Sequence, residues 1–375
     1  MTTQPEPAAR SVASDPPAKP PPWERAEWRF WVIIVSVIAV LAAGLSMVAI
    51  ATSHPREKKV VAAGGAGSVA ASPGQQLDIA GDPPASFEAR DPSAPVTPTG
   101  TVHQITMHAT EKVLEIAPGT RQTMWTYDGT VPGPVLRGKV GDTFEITLVN
   151  DGTIGHSIDF HASKVAWNVE MRTIDPGKQV LYRFTAQKSG IFMYHCGTPP
   201  VLHHIGNGMY GAIIIDPPDL APVDHELVML QSELYSAPTG EVASLEKMLA
   251  EQWDAVVFNG YPNQYLHRPI RVEPNQRIRI WVLDDGPSEN SSFHVIGTIF
   301  DTVYKEGTYL LRPGEGTGGS QALDLQPAQG GFVEFTFDVA GQYPFVTHKF
   351  ASASKGAVGL FQAGDVAAPT DQPAH

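Results

Sequence analysis

The sequence repeats itself once, and this repeat constrains the fold more than any other feature. The segment "YDGTVPGP" followed by "VGDTFEITLVNDG" corresponds to "FNGYPNQY" followed by "EPNQRIRIWVLDDG". Farther along, "YRFTAQKSGIFMYHC" corresponds to "VEFTFDVAGQYPFVTH". Similar segments that recur in the same order indicate that one structural unit occurs twice. We therefore predict two domains of common ancestry, over residues 101–218 and 222–365.

Both halves contain short stretches in which apolar and polar residues alternate, such as "DTFEITLVN" and "RIRIWVLDD". Because successive side chains of a strand face opposite sides, this alternation predicts half-buried β-strands. Glycine, proline and Asp-Gly pairs separate the stretches, which is typical of a β-sandwich or barrel. The one helical-looking segment, "GEVASLEKMLAEQW", covers residues 240–253 between the halves. The predicted fold class is all-β.

The segment from Phe30 to Ser53 is an uncharged apolar run near the N-terminus. At about 1.5 Å per residue it is long enough to cross a bilayer as a helix. It predicts a single transmembrane anchor over residues 30–53. A cleaved signal peptide is the alternative, since Ala49-Ile50-Ala51 resembles a cleavage site.

Three other segments have compositions unlike that of a folded domain. Residues 1–29 form a head rich in Pro, Ala and charge, and residues 54–100 are rich in Ala, Gly, Ser and Pro. Such segments bury too little apolar surface to fold, so we predict a disordered head and a flexible linker. Residues 366–375 are predicted to be a disordered tail.

The charge and the cysteine content exclude a nucleic-acid-binding protein and a protein with internal disulfides. With 26 Lys and Arg against 39 Asp and Glu, the formal net charge is −13. Nucleic-acid-binding proteins need a basic face, so no nucleic-acid partner is expected. The single cysteine cannot form an internal disulfide, which leaves its thiol free to act as a ligand.

That cysteine lies in "GIFMYHCGTPPVLHHIGNGMYG", where His195 precedes Cys196 directly. Adjacent side chains of a strand diverge, so these two residues must serve different sites. In "HSIDFH", His156 and His161 also face opposite sides because they are five residues apart, while Asp159 shares the face of His161. If the two strands are neighbours, the spacing predicts two separate clusters.

The first predicted cluster combines Cys196 and His156 with two residues of the following loop, His204 and Met209. A thiolate, two imidazoles and a weak thioether are the ligands of a blue-copper electron-transfer site. A lone cysteine is more often a buried core thiol, but the ordered spacing beside a glycine-rich turn favours copper over that alternative. His203 leaves the register of the loop open, because either neighbouring histidine could present a nitrogen.

The second predicted cluster contains His195, His161 and Asp159. A catalytic metal site needs three protein ligands and an open position, so two histidines are not enough. The repeat places His294 and His348 at the matching positions of the second half. A third ligand from there would place the ion at a domain or subunit boundary. Hydrogen-bonded core histidines, or a zinc site, remain the alternatives at this stage.

Taken together, the motifs resemble those of a known enzyme family. The segments "HSIDFH", "YHC" with "HIGNGMYG", "FHVIGTIFDTVY" and "YPFVTHKF" resemble the copper-containing nitrite reductases, which make nitric oxide and have two cupredoxin domains. "YDGTVPGPVLRGKVGDT" is similar to the opening strands of the wider multicopper oxidase superfamily. The resemblance covers residues 101–365 and implies tandem cupredoxin-like Greek-key sandwiches in a homotrimer. The short Cys-to-Met loop looks like the branch that is often tethered to membranes.

The resemblance also implies a role for each candidate residue and two coppers per subunit. The implied type 1 copper ligands are His156, Cys196, His204 and Met209. The implied type 2 copper ligands are His161, His195 and the partner subunit's His348. Asp159 and His294 would bind nitrite and deliver protons, and Ile296 would crowd the open coordination position.

The expected activity is the one-electron reduction of nitrite to nitric oxide. The expected electron donor is a small cupredoxin or c-type cytochrome. The expected location is the bacterial cell membrane, with a single pass and the copper domains on the periplasmic or extracellular side. A laccase-like two-domain oxidase is one alternative, but such enzymes need His-x-His pairs and none of the 13 histidines forms one. The other alternative is a membrane-tethered copper electron carrier that uses only the first cluster.

Overall fold

The structure is a computed structural model that describes residues 77–314 and 316–366. The predicted head 1–29, the anchor 30–53, the linker up to residue 76 and the tail beyond residue 366 lie outside the described residues. Within the described part of the chain, no helix is long and apolar enough to cross a membrane.

Two four-stranded sheets form the first half of the described chain. Their orders are β2-β1-β4-β6 and β3-β8-β7-β5. Strand β4 alternates half-buried and buried residues along its whole length, as the sequence pattern predicts. The strands are β1 (Val102–Ala117), β2 (Thr120–Tyr127), β3 (Leu136–Lys139), β4 (Thr143–Asn150), β5 (Asp159–Phe160), β6 (Gln179–Thr185), β7 (Gly190–His195) and β8 (Tyr210–Asp216).

The second half repeats this arrangement and adds three strands. Its sheets have the orders β10-β9-β12-β17-β14-β15 and β11-β19-β18-β13-β16. The strands are β9 (His225–Leu234), β10 (Ala255–Phe258), β11 (Ile270–Val272), β12 (Ile278–Asp284), β13 (Ser291–Val295), β14 (Thr302–Lys305), β15 (Thr308–Leu311), β16 (Leu323–Leu325), β17 (Gly330–Phe335), β18 (Gly341–Thr347) and β19 (Val358–Ala363). The all-β prediction is confirmed, whereas the domain boundaries stay a prediction.

The strand pairing shows the internal repeat directly. Strand β1 runs parallel to β4 with Ala109 opposite Asn150. Strand β9 runs parallel to β12 with Gln231 opposite Asp284. The order of the first four strands of each first sheet, β2-β1-β4-β6 and β10-β9-β12-β17, is therefore the same. Each half buries its own core between its two sheets.

Strand β12 is buried at every position, although its sequence alternates. Its inward residues, such as Ile280 and Val282, belong to the core of the second half. Trp281 and Leu283 face the other way and pack in a cluster with residues of the first half, including Met193 and Tyr210. The prediction of a half-exposed strand is thus wrong here, because the other half of the protein covers the outer face.

Among the described residues, helices are few and short. They are α1 (Trp167–Glu170), α2 (Val201–Gly206), α3 (Leu245–Leu249), α4 (Gln264–His267) and α5 (Phe350–Ala353). The helix predicted over 240–253 is reduced to α3. Ser244 caps its first turn by accepting a hydrogen bond from the Lys247 backbone N–H at 3.2 Å. Glu251, with φ of 52°, ends the helical conformation soon after α3.

The last part of the predicted flexible linker is packed against the sandwiches. The Arg90 guanidinium donates to the Gly133 carbonyl at 2.8 Å, and the Tyr265 hydroxyl donates to the Arg90 carbonyl at 3.0 Å. The Ala94 backbone N–H donates to the Glu226 carbonyl at 2.8 Å. The prediction of a flexible linker is therefore wrong for this segment. Hydrogen bonds of this kind, which end on backbone carbonyls, leave no trace in amino-acid composition.

Three carboxylates are buried where β9 and β12 end. The oxygens of Asp284 and Asp285, and one oxygen of Glu233, have no hydrogen-bond partner. Burial raises the pKa of Glu233 to about 7. Burial first, and then the nearby charge of Glu233, raise the pKa of Asp284 to about 9. Burial also raises the pKa of Asp285 well above its ordinary value.

We expect these groups to make the protein less stable as the pH rises. Above pH 4 the unfolded chain releases protons that folded Asp284 retains up to a pH of about 9. One such group lowers the free energy of unfolding by about 1.4 kcal/mol per pH unit in that window. Asp284→Asn should reduce this slope and stabilise the protein at pH 8, as measured by denaturant unfolding between pH 6 and 9.

The exposed Asp338→Asn is the control and should leave the slope unchanged. If Asp284→Asn instead destabilised the protein and kept the wild-type slope, Asp284 would have to be ionised and paired in the folded state.

Candidate metal centres

The pairing of β5 with β7 sets the position of both predicted clusters. Asp159 lies directly opposite His195 in this antiparallel ladder. Cys196 follows immediately and faces the other way. Ligand atoms of His156, Cys196 and His204 lie within 4.8 Å of one another, and so do those of Asp159, His161 and His195. The structure therefore places adjacent His195 and Cys196 in different clusters.

The first cluster is fully enclosed. The Cys196 Sγ lies 3.3 Å from His204 Nδ1. The Ser157 backbone N–H donates to this sulfur at 3.4 Å. The Cys196 N–H donates to the Met209 carbonyl at 3.1 Å, and the Met209 N–H donates to the His204 carbonyl at 3.1 Å. These bonds fold the loop back so that buried Met209 joins the same core as Cys196.

Gly208 allows the loop to turn at this point. Its φ of 114° lies in a region that residues with a side chain rarely adopt. A Cβ at this position would lie 2.9 Å from the Trp125 carbonyl oxygen. The glycine is therefore required both by the backbone conformation and by the close approach of β2.

The donor set of the first cluster fits a soft or borderline metal ion. His156 is completely buried, and neither of its ring nitrogens has a hydrogen-bond partner. Burial lowers the pKa of His156, and burial together with the positive charges of neighbouring histidines lowers that of His204 to about 4. Both imidazoles are thus neutral, with a lone pair available for a metal. Buried polar atoms without a partner are costly, and coordination by these atoms would remove that cost.

The structure resolves which histidine of the loop faces the first cluster. His203 is turned away, and its Nε2–H donates to the Ala243 carbonyl at 2.8 Å. Its ring packs against Trp125 at a centroid distance of 4.8 Å. His204 alone of the pair contributes a nitrogen to the cluster.

The second cluster is more open to solvent. His161 Nε2 lies 3.0 Å from His195 Nε2. The His195 Nδ1–H donates to the Cys196 carbonyl at 3.0 Å, which leaves the Nε2 lone pair for a metal. Asp159 Oδ2 lies 4.0 Å from His195 Nε2, and the Asp159 side chain is 27% exposed. Two convergent nitrogens and a carboxylate fit a metal ion whose remaining position is open.

The predicted residues of the second half form a group of their own. The rings of His294 and His348 lie 5.4 Å apart, and the His294 Nδ1–H donates to the Gln321 carbonyl. Ile296 follows two residues after His294 and is half-buried. Within the described residues, neither histidine belongs to the cluster around Asp159. One chain therefore presents two separate groups, which we call the Asp159 half-site (Asp159, His161, His195) and the His348 half-site (His294, Ile296, His348).

Two residues beside the first cluster escape the sequence analysis. The Trp125 ring lies 4.6 Å from the His204 ring, and Glu111 Oε1 lies 3.8 Å from His156 Nε2. Both come from strands far from the ligands in sequence. The internal repeat could have indicated Glu111, because Glu233 occupies the matching position of β9.

Comparisons with known proteins decide the family. A family model described as multicopper oxidase matches residues 108–220. The copper-containing nitrite reductase of Neisseria meningitidis is 35% identical over 268 residues, which cover 68% of this chain and 68% of that relative. This chain belongs to the copper-containing nitrite reductase family. The resemblance inferred from the sequence motifs is thereby confirmed.

Solved copper nitrite reductases share the fold. The enzyme from Nitrosomonas europaea matches with a TM-score of 0.65 and 35% identity, over 72% of this chain and 96% of the other. The Cu-containing nitrite reductase from Thermus scotoductus matches with a TM-score of 0.63 and 30% identity, over 70% of this chain and 62% of the other. As a member of the copper nitrite reductases, the chain is an oxidoreductase. Copper is the metal that its family membership supports, and the laccase-like alternative is less supported.

Proposed function

We propose that the chain reduces nitrite to nitric oxide with two coppers per subunit, a type 1 copper that passes one electron to a type 2 copper. One observation carries the proposal: His195 and Cys196 are covalent neighbours in two different clusters of potential metal ligands. A short covalent path between two metal sites suits the transfer of single electrons. An electron carrier would need only the first cluster.

The proposed ligands follow from the donor types of each cluster. His156, Cys196, His204 and Met209 would hold the type 1 copper, because sulfur and imidazole together favour copper over hard cations. His161 and His195 would hold the type 2 copper together with the partner subunit's His348. When bound there, copper would supply an open coordination position for the nitrite anion and the one electron that its reduction takes.

The two half-sites support a shared active site in a homotrimer. One chain displays the Asp159 half-site at the ends of β5 and β7 and the His348 half-site at the ends of β13 and β18. A catalytic site needs three protein ligands, and the Asp159 half-site has only two histidines. The partner subunit's His348 would supply the third ligand. In a closed ring of subunits, every interface would join one half-site of each kind.

This arrangement predicts that defective subunits can complement each other. His195→Ala and His348→Ala should each be inactive alone, because every interface lacks a ligand. Randomly mixed trimers should recover about a quarter of the wild-type turnover, because one interface in four joins two intact half-sites. Turnover after co-expression and after separate expression checks this. No recovery in the mixture would contradict a shared site.

Asp159 and His294 are the proposed acid–base residues. Converting nitrite to nitric oxide and water takes one electron and two protons. Asp159 lies beside both imidazoles of its half-site and is open to water, so its carboxylate can relay a proton and accept a hydrogen bond from a protonated substrate oxygen. The His294 Nδ1–H is held by the Gln321 carbonyl, which leaves Nε2 to exchange the second proton. Ile296 would restrict the space beside the substrate.

We also propose an electron donor, a membrane anchor and a location for the copper domains. A small cupredoxin or c-type cytochrome would supply electrons, residues 30–53 would anchor the chain in the bacterial membrane, and the copper domains would lie on the periplasmic or extracellular side.

The test is anaerobic nitrite turnover by the full chain with a reduced dye, together with copper analysis and electron paramagnetic resonance. We expect two coppers per chain, a type 1 and a type 2 signal, and release of nitric oxide. One copper per chain without turnover would favour the electron carrier. Zinc at the second site would contradict the assignment of a type 2 copper.

A further inference from the structure

Glu111 reaches from β1 into the first cluster. Its Oε1 lies 3.8 Å from His156 Nε2, a nitrogen with no hydrogen-bond partner. An ordinary N–H···O bond is shorter by about 1 Å, so the imidazole would have to shift by that distance toward the carboxylate to form one. Among the described residues, Glu111 is the acidic group placed against this buried ring.

The carboxylate of Glu111 is held firmly in this position. The Thr153 backbone N–H donates to both oxygens, at 2.9 and 3.0 Å, and the Thr153 hydroxyl donates to Oε1 at 3.1 Å. Gly152 leaves room for it, because a Cβ there would lie 3.0 Å from each Glu111 oxygen. The loop after β4 therefore fixes the carboxylate beside the imidazole.

The second half of the protein contains a glutamate that holds a loop in the same way, but without an imidazole beside it. Glu233 stands on β9 two residues beyond Gln231, as Glu111 stands on β1 two residues beyond Ala109. Glu233 Oε1 accepts a hydrogen bond from the Ser288 N–H at 2.9 Å, and its carboxylate carbon would lie 2.8 Å from a Cβ on Gly286. Both glutamates thus hold the loop that follows the neighbouring strand.

The two halves differ in the residues at the positions that correspond to His156 and Cys196. Glu289 stands five residues before His294, as His156 stands five residues before His161. Lys349 follows His348 as Cys196 follows His195, and its Nζ forms an ion pair with Glu289 Oε2 at 2.6 Å. Holding the loop is therefore common to both halves, whereas contact with an imidazole is confined to Glu111.

We propose that Glu111 is a positioning residue for the type 1 copper, accepting the Nε2 proton of His156 and directing the Nδ1 lone pair toward the metal. This inference rests on the proposed type 1 site. A carboxylate that accepts a proton from a ligating histidine fixes its tautomer and ring orientation and increases its donor strength. Loss of such a partner typically lowers metal affinity about 10- to 100-fold.

The test compares Glu111→Gln with Glu233→Gln in the full chain. Both variants replace the carboxyl group of a loop-holding glutamate by an amide, and only the first loses the carboxylate that faces His156. Glu111→Gln should weaken copper binding at the blue site about 10- to 100-fold in competition with a chelator. It should also shift the blue absorption band and raise the reduction potential. Glu233→Gln should leave all three unchanged.

Gly152→Ala provides a second route if Glu111→Gln folds poorly. It keeps the carboxylate and displaces it, so its copper affinity should lie between those of the wild type and Glu111→Gln. Nitrogen-15 NMR of the metal-free full chain should show His156 with its proton on Nε2 in the wild type. That result does not depend on copper or turnover, so this inference can fail although the chain reduces nitrite.

Two results would overturn the positioning role. One is a wild-type His156 that carries its proton on Nδ1. The other is a Glu111→Gln protein whose absorption, potential and copper affinity match those of Glu233→Gln while only its thermal stability falls. Glu111 would then serve the loop alone.

Discussion

Replacing Asp159 by asparagine should lower the rate of nitrite turnover by about 10²- to 10⁴-fold, the usual contribution of a positioned acid–base group. The amide keeps the size of the side chain but cannot take up and release a proton near neutral pH. Asp159 lies opposite His195 on β5, so its position does not depend on the first cluster. The blue absorption should therefore stay at the wild-type level, as visible spectroscopy and a dye-coupled assay would show.

The exposed Asp338→Asn controls for the change in charge and should turn over nitrite normally. A wild-type rate for Asp159→Asn would remove Asp159 from proton delivery. A lost blue band would mean that the two clusters are not independent.

Replacing His195 by alanine should abolish nitrite turnover and the type 2 signal and preserve the type 1 signal. His195 Nε2 converges with His161 Nε2 at 3.0 Å, so the Asp159 half-site loses one of its two nitrogens. The Cys196 sulfur faces the opposite cluster, where it keeps His204 at 3.3 Å. Electron paramagnetic resonance and copper analysis of the purified variant measure both sites at once.

Cys196→Ser is the reciprocal variant and should lose the blue absorption while the Asp159 half-site remains. His108→Ala is a matched control, because this histidine pairs with Asp151 and joins neither cluster. Simultaneous loss of both signals in His195→Ala would contradict the separation of the two adjacent side chains.

The separation of the two clusters was predictable because it depends on local geometry. Adjacent residues of a strand face opposite sides, so the spacing of His195 and Cys196 alone predicts that they separate. The pairing of β5 with β7 then brings Asp159 and His161 to the face of His195. The internal repeat likewise predicted the matching strand orders of the two halves. These features depend on residue patterns within short segments, so they can be predicted without knowing the contacts between distant segments.

Other features depend on contacts between distant segments. Glu111 and Trp125 reach the first cluster from β1 and β2, and nothing near them in sequence marks a ligand. Arg90 lies in a segment with the composition of a linker, yet it binds the backbone of a loop in the first half. The register of His203 and His204 was settled only by a hydrogen bond to Ala243, which lies 40 residues away.

Strand β12, covered on both sides, also limits how this molecule can be divided. Trp281 and Leu283 would meet water if the N-terminal sandwich were removed, and exposed apolar surface of that kind promotes aggregation. Gene fragments that encode either sandwich alone should therefore yield insoluble product. Each half of the repeat thus serves as part of the interior of the other, so neither can be used as a stand-alone unit.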